Sequence, residues 1–211
     1  MHIVDLSHPI TPDMPVYPGT EPPTIATGCT IEQQGFEEKK ITLFSHTGTH
    51  VDAPAHLLTG GKTLDEFPAR FFVGQALRID VREAVGCIEK DRLTPHEKDL
   101  HRVDFLLLQT GWSRYWGDRA YFAGYPVLTT EAAQWLAGLG LKGVGLDAIS
   151  ADREGSRELP VHRILLQQGM VIVENLNNLQ ALPSDRVVFS CLPLPTARAD
   201  GSPVRAVAWP A

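Results

Sequence analysis

"LPVHRILLQQGMVIVENL", Leu159–Leu176, carries two hydrophobic patterns back to back. The first part has Pro160 where a helix begins and Gly169 where one ends, so Leu159 to Gly169 reads as a helix. The second part, Met170 to Val173, is continuously apolar and reads as a buried strand. A helix that feeds straight into a buried strand belongs to a mixed α/β protein. The same stretch poses a chemical question. His162 falls on the first turn of the helix, and Glu174 ends the strand. A carboxylate there is costly unless it is paired or binds a metal. Glu174 is free, on this pattern alone, to cap a loop, to pair with Arg163 or to hold an ion.

Outward from this unit the pattern repeats. "VDFLLLQT" reads as a strand buried on both faces, and "GVGLDAIS" as a short buried strand followed by a loop. "VGQALRIDV", "RVVFSCLPL" and "VRAVAW" read as further strands. "TTEAAQWLAGLGL" is a second helix, with a threonine cap, an acidic residue in its first turn and glycines that weaken its end. Near the start, "HIVDLSH" alternates like a strand, and the prolines of "ITPDMPVYPGTEPP" make it a loop. "TIATGCTI" and "KKITLFS" read as strands, the second delivering His46 at its end. The expectation is a single mixed α/β domain over residues 1–211, rich in strands and covered by two or three helices. Periodicity does not give the sheet order.

Composition narrows the function. Of the 211 residues, 43% are hydrophobic and 21% charged, an ordinary globular balance. A formal net charge of −6 argues against nucleic acid or an anionic membrane as partner. No apolar run reaches the roughly 18 residues of a bilayer span, and the N-terminus does not read as a signal peptide. Cys29, Cys87 and Cys191 lie far apart and suggest reduced structural thiols, which fits a cytoplasmic protein.

The densest chemistry is in "SHTGTHVDAPAH", Ser45–His56, which holds three of the eight histidines. His46, His50 and Asp52 stand at i, i+4 and i+6. A helix would place the two imidazoles roughly 5–6 Å apart, but Gly48, Pro54 and the β-branched Thr47, Thr49 and Val51 oppose one. A straight strand would separate His46 and His50 by about 13 Å. One ion, bound at roughly 2.0–2.2 Å, cannot bridge that distance. A bend at Gly48, which accepts a positive φ cheaply, resolves the conflict. The stretch then offers two imidazoles and a carboxylate inward, a set suited to zinc or another transition metal. The other reading is three unrelated polar loop residues. Pro54 favours an extended approach that carries His56 past the other three.

"HTGTHVDAPAH", followed at a distance by "HRILLQQGMVIVENL", resembles the cyclase family of metal-dependent hydrolases. Bacterial kynurenine formamidases are its best-known members, and isatin hydrolases are relatives. The likeness extends to "DLSHPITPDMPVYPG", "GLDAISAD" and "DGSPVRAVAW", nearly the whole chain. It implies a swivelling β/β/α fold, a dimer or larger homo-oligomer, and two divalent metal ions per chain, with Zn²⁺ usual and Mn²⁺ found in isatin hydrolases. His46, His50, Asp52, His162 and Glu174 match the family's ligand positions, with both carboxylates placed to bridge. His56 matches its general acid/base.

The implied reaction is amide hydrolysis by metal-activated water, turning N-formylkynurenine into kynurenine and formate. Formamidases typically carry tryptophan in the segment that reads "PVYPG" here, so Tyr17 is a changed wall of the substrate pocket. A sibling activity on a cyclic amide such as an isatin-like lactam, or metal binding without catalysis, are the alternatives. No G-x-S-x-G elbow is present, and no histidine neighbours a cysteine. Asp147 and Ser150 are candidates either to orient ligands or merely to shape a turn. His2, His8, His96 and His101 are expected to be surface or structural.

Overall fold

The computed structural model describes residues 2–211. Its strands are β1 (Val4–Asp5), β2 (Thr24–Cys29), β3 (Glu38–Thr42), β4 (His50–Asp52), β5 (Val73–Asp80), β6 (Cys87–Ile88) and β7 (Phe105–Gln109), followed by β8 (Val127–Leu128), β9 (Gly143–Leu146), β10 (Val171–Glu174), β11 (Arg186–Ser190), β12 (Gly201–Pro203) and β13 (Val207–Pro210). The helices are α1 (Ile31–Gln34), α2 (Glu97–Leu100), α3 (Thr130–Ala137) and α4 (Pro160–Gln167). Nine strands form one mixed sheet in the order β1-β13-β11-β5-β7-β9-β10-β4-β12. Its centre, β5-β7-β9-β10, is parallel, and both flanks are antiparallel.

The continuous apolar run of β7 explains its central place. Leu106 and Leu108 face one core with α3 and α4, whereas Phe105 and Leu107 face the other. The second core gathers Val51 and Val173 from one side of the sheet and Val187 and Ala208 from the other, so the sheet curls around it. α3 begins where Thr129 accepts a hydrogen bond from Ala132 N, and α4 begins at Pro160. Both follow the sequence reading. No helix among the described residues is long and apolar enough to cross a membrane.

Three expectations are corrected. "HIVDLSH" contributes only Val4–Asp5, because β1 is an edge strand paired with β13 alone. "KKITLFS" ends as a strand at Thr42, and His46 lies beyond it in a turn. β3 pairs only with β2, in a hairpin outside the nine-stranded sheet, so nothing extends its ladder to His46. "VRAVAW" is a strand only from Val207. Val204 instead bridges Pro193.

Gly48 bends as its chemistry suggests, with φ at 65°. A Cβ there would come within 2.9 Å only of Met14 Cε, the flexible end of a side chain. Backbone strain therefore dominates the cost of Gly48→Ala, about 1–2 kcal/mol. A fall in denaturant midpoint of that size, at unchanged m-value, is the expected result. An unchanged midpoint would remove the bend from the account.

Candidate metal centre

Strand register assembles the site. β4 lies between β10 and β12, with His50 opposite Glu174 and Asp52 opposite Gly201. His50 and Asp52, two residues apart on one strand, share a face. The Gly48 bend returns His46 over them, with the His46 and His50 ring centroids 5.2 Å apart. The His46 ring rests on Gly201, where a Cβ would fall 2.5 Å from its Cε1. The first turn of α4 presents His162 beside Glu174, Nε2 to Oε1 3.1 Å. Ala53 is extended, with ψ at 163°, as a residue before proline should be. Pro54–His56 is then a single 3₁₀ turn, and it brings the His56 ring to 4.0 Å from that of His46.

Among the described residues, three overlapping sets of side chains bring donor atoms close enough to hold an ion, and two of them meet at Asp52. One is His46, His50 and Asp52, the other Asp52, His162 and Glu174, with donor atoms of each set within 4.8 Å of one another. Asp52 belongs to both. Its Oδ1 faces His46 Nδ1 at 2.6 Å and His50 Nε2 at 3.2 Å, and its Oδ2 faces His162 Nε2 at 3.6 Å. Oδ2 is buried and has no hydrogen-bond partner. A carboxylate oxygen left so exposes a lone pair that a cation would satisfy.

The far nitrogens of the three imidazoles explain their orientation. His162 Nδ1 donates to Asp152 Oδ2 at 2.7 Å, His46 Nε2 to Asp200 Oδ2 at 2.9 Å, and His50 Nδ1 to Gly48 O at 2.8 Å. Each ring thereby keeps its near nitrogen for the central carboxylates, the arrangement typical of metal-binding histidines. Sequence reasoning missed Asp152 and Asp200. The signal for Asp152 was a carboxylate upstream of a helix start: it also accepts from Val161 N and His162 N. For Asp200 no local signal existed, since it lies 154 residues from His46.

Other expectations resolve here. Glu174 does not pair with Arg163. Its Oε1 accepts from Ala151 N at 2.8 Å, while Arg163 binds Glu158 O. Asp147 shapes a turn, accepting from Thr110 N and Oγ1 and from Gly111 N. Ser150 accepts from Asp152 N and lines the cavity. His8 is buried and stacks on Trp116 at 3.7 Å. The three cysteines are free thiols.

Electrostatics mark the site as a cation trap. Burial opposes charge on His46, yet Asp52 and Asp200 outweigh it and raise the ring to about 9. Burial is likewise overcome at His50, by Asp52 and then Glu174. At His162 it is overcome by Asp152, Asp52 and Glu174. Asp52 is held well below the usual carboxylate range, since His46 and His50 outweigh its burial. Without metal, protons neutralise this field. A histidine raised from 6.5 to about 9 adds stability that is fully present below pH 6.5 and lost as pH rises through 9. Chelator-treated protein should therefore lose denaturant resistance from pH 6.5 to 9, and saturating Zn²⁺ should reverse the trend, because ions replace protons better as the rings deprotonate. A flat profile without metal would contradict the charge balance.

Behind the donors opens a cavity of about 610 Å³, bordered by Val16, Tyr17, Phe44, Ile149 and Leu159. His56 stands on its wall, and its burial lowers its pKa. All seven residues expected to bind metal, move protons or wall the substrate, Tyr17 included, line this one cavity, and Asp147 does not.

Known proteins share this frame. A family model described as "Putative cyclase" matches residues 4–153. A kynurenine formamidase of Bacillus cytotoxicus is 34% identical over 98% of this chain and 97% of its own length. That of Geobacillus thermodenitrificans is 33% identical over 96% and 95%. Among solved structures, isatin hydrolase A from Labrenzia aggregata, bound to benzyl benzoate, superposes with a TM-score of 0.85 at 27% identity, over 98% of this chain and 93% of that one. A structure described as a potential metal-dependent hydrolase with cyclase activity gives 0.80 at 29%, over 98% and 96%.

Proposed function

The chain belongs to the cyclase family, and on that premise we propose that it is a metal-dependent amide hydrolase that turns N-formylkynurenine into kynurenine and formate. The observation that carries this is Asp52, shared between two donor sets at the floor of a cavity with a neutral imidazole on its wall. Two divalent ions would be held, one by His46, His50 and Asp52, the other by Asp52, His162 and Glu174. These nitrogen and carboxylate donors accept both zinc and manganese, and zinc is taken first because it is the usual metal of the formamidases that the chain resembles. Such ions supply Lewis acidity to the amide carbonyl and ease deprotonation of the attacking water.

The chain's own groups do the rest. Asp52 and Glu174 offset the cationic charge, while Asp152 and Asp200 hold rings in place. His56, kept neutral by burial, takes a proton and returns it to the departing arylamine nitrogen. Tyr17, Val16 and Phe44 offer an apolar wall to an aromatic ring, in a cavity within the usual range for small-molecule sites. A cyclic amide such as isatin is the second reading, supported by the likeness to isatin hydrolase A. Turnover of N-formylkynurenine against isatin, with Zn²⁺ or Mn²⁺ added, separates the two. Hydrolysis of isatin alone would move the assignment to lactams, and turnover of neither would remove both substrates.

A homodimer or larger assembly is part of the proposal. The β2–β3 hairpin packs neither face on the core, and an isolated two-stranded hairpin is marginal in water. Ile25, Ile31, Phe36, Ile41 and Phe44 are exposed on it or beside it. The hairpin springs from the Tyr17–Thr20 and Phe44–Ser45 rim of the cavity, which supports an assembly that covers both. Sedimentation should show at least two chains per particle at micromolar concentration. A persistent single-chain species would refute this.

A further inference from the structure

One buried residue, which also lines the cavity beside the donors, has no part in the chemistry above. Asn175 follows Glu174 directly, is 5% exposed, and adopts a left-handed backbone with φ at 57°. Asparagine tolerates that region better than most residues. Its amide is held from both ends, and Nδ2 also lies 3.5 Å from His50 Nδ1. Nδ2 donates to Gly48 O at 2.8 Å, and Oδ1 accepts from the Tyr121 hydroxyl at 2.7 Å. The orientation is forced, because a backbone carbonyl can only accept. Gly48 O thus receives two donors, Asn175 Nδ2 and His50 Nδ1. From the same turn, Thr49 Oγ1 donates to the carbonyl of Asn175 at 2.6 Å. Asn175 is therefore bonded twice to the turn that carries His50 and joined covalently to Glu174. It links the two halves of the site, which the sequence keeps far apart.

We propose that Asn175 is a positioning residue that aims the Gly48 carbonyl at His50 Nδ1, so that Nδ1 keeps its proton and Nε2, facing Asp52 and Glu174, is the nitrogen left for a metal. Tyr121 locks the amide from behind, itself held by Trp116 at 5.1 Å between ring centroids. The other tautomer of His50 would turn an N–H towards the carboxylates and close that position to a metal. This rests on the reading of His50 as a metal ligand.

The test uses Asn175→Gly, which accepts the positive φ and removes the whole side chain, amide included. Zn²⁺ affinity is measured by competition with a chromophoric chelator, beside wild type and Tyr121→Phe. Loss of outer partners of this type costs roughly 10–100-fold in metal affinity. Asn175→Gly should bind Zn²⁺ more weakly by about that factor, and Tyr121→Phe by a smaller one in the same direction. At saturating Zn²⁺, kcat should return towards wild type, because Asn175 acts on metal uptake and not on the reacting atoms. Affinity within twofold of wild type in Asn175→Gly overturns the proposal. So does full affinity with a lasting loss of kcat. If Asn175→Gly does not fold, Tyr121→Phe decides: unchanged affinity overturns the proposal, weakened affinity supports it. Wild-type protein that binds no Zn²⁺ would instead overturn the metal reading beneath it.

Discussion

Replacing His56 by alanine is expected to keep the metals and lower kcat by about 10²–10⁴-fold, the usual worth of a general acid–base. The geometry sharpens the expectation. His56 stands on the cavity wall with 26% of its side chain exposed, close to the 23% of His46, whereas His50 and His162 are sealed. Its burial lowers its pKa, so the neutral ring is ready to accept a proton at pH 7. A rival role also has a basis, since His46, His56 and Asp200 bring donor atoms within 4.8 Å of one another. Asp200 Oδ2, however, is already bonded to His46 Nε2, so an ion held with His56 would have to displace that bond. His50→Ala is the companion variant and should lose metal together with activity. Metal content and kcat on both variants decide the roles. If His56→Ala loses metal as readily as His50→Ala, His56 is a ligand and the proton shuttle must be sought elsewhere.

Asp52→Ala should be more severe. Asp52 is 1% exposed and faces three imidazoles through its two oxygens. No other carboxylate belongs to both donor sets among the described residues. Two cations held close together repel, and a shared carboxylate is what offsets that repulsion. The variant is expected to bind neither ion and to lose activity at least as completely as His56→Ala. Asp52→Asn keeps the volume and one acceptor but not the charge, and it should also fail to hold a pair of ions. Retention of both ions by Asp52→Ala would mean that Asp52 does not bridge.

The residues legible in the sequence were those whose chemistry is local. His46, His50 and Asp52 announced themselves because their spacing makes sense only with a bend, and Gly48 supplies it. Helix α4 and strand β10 were legible because Pro160, Gly169 and the apolar run Met170–Val173 punctuate them. Asp200 and Asn175 were not legible. Each acts across a sheet, Asp200 through the pairing of β12 with β4 and Asn175 through its hold on the Gly48 turn. Asp147 and Asp152 follow the same buried strand, and only the path of the loop decides which of them reaches His162. The β2–β3 strands were readable as strands. Their separation from the main sheet was not, since exposure depends on what packs against them.

This constellation is proposed to bind a pair of divalent ions. The most direct measurement is the metal content of freshly purified protein never exposed to chelator, repeated after reconstitution with Zn²⁺ and with Mn²⁺. Close to two ions per chain are expected, falling to near zero in Asp52→Ala. A wild-type content near zero after both reconstitutions would contradict the proposal.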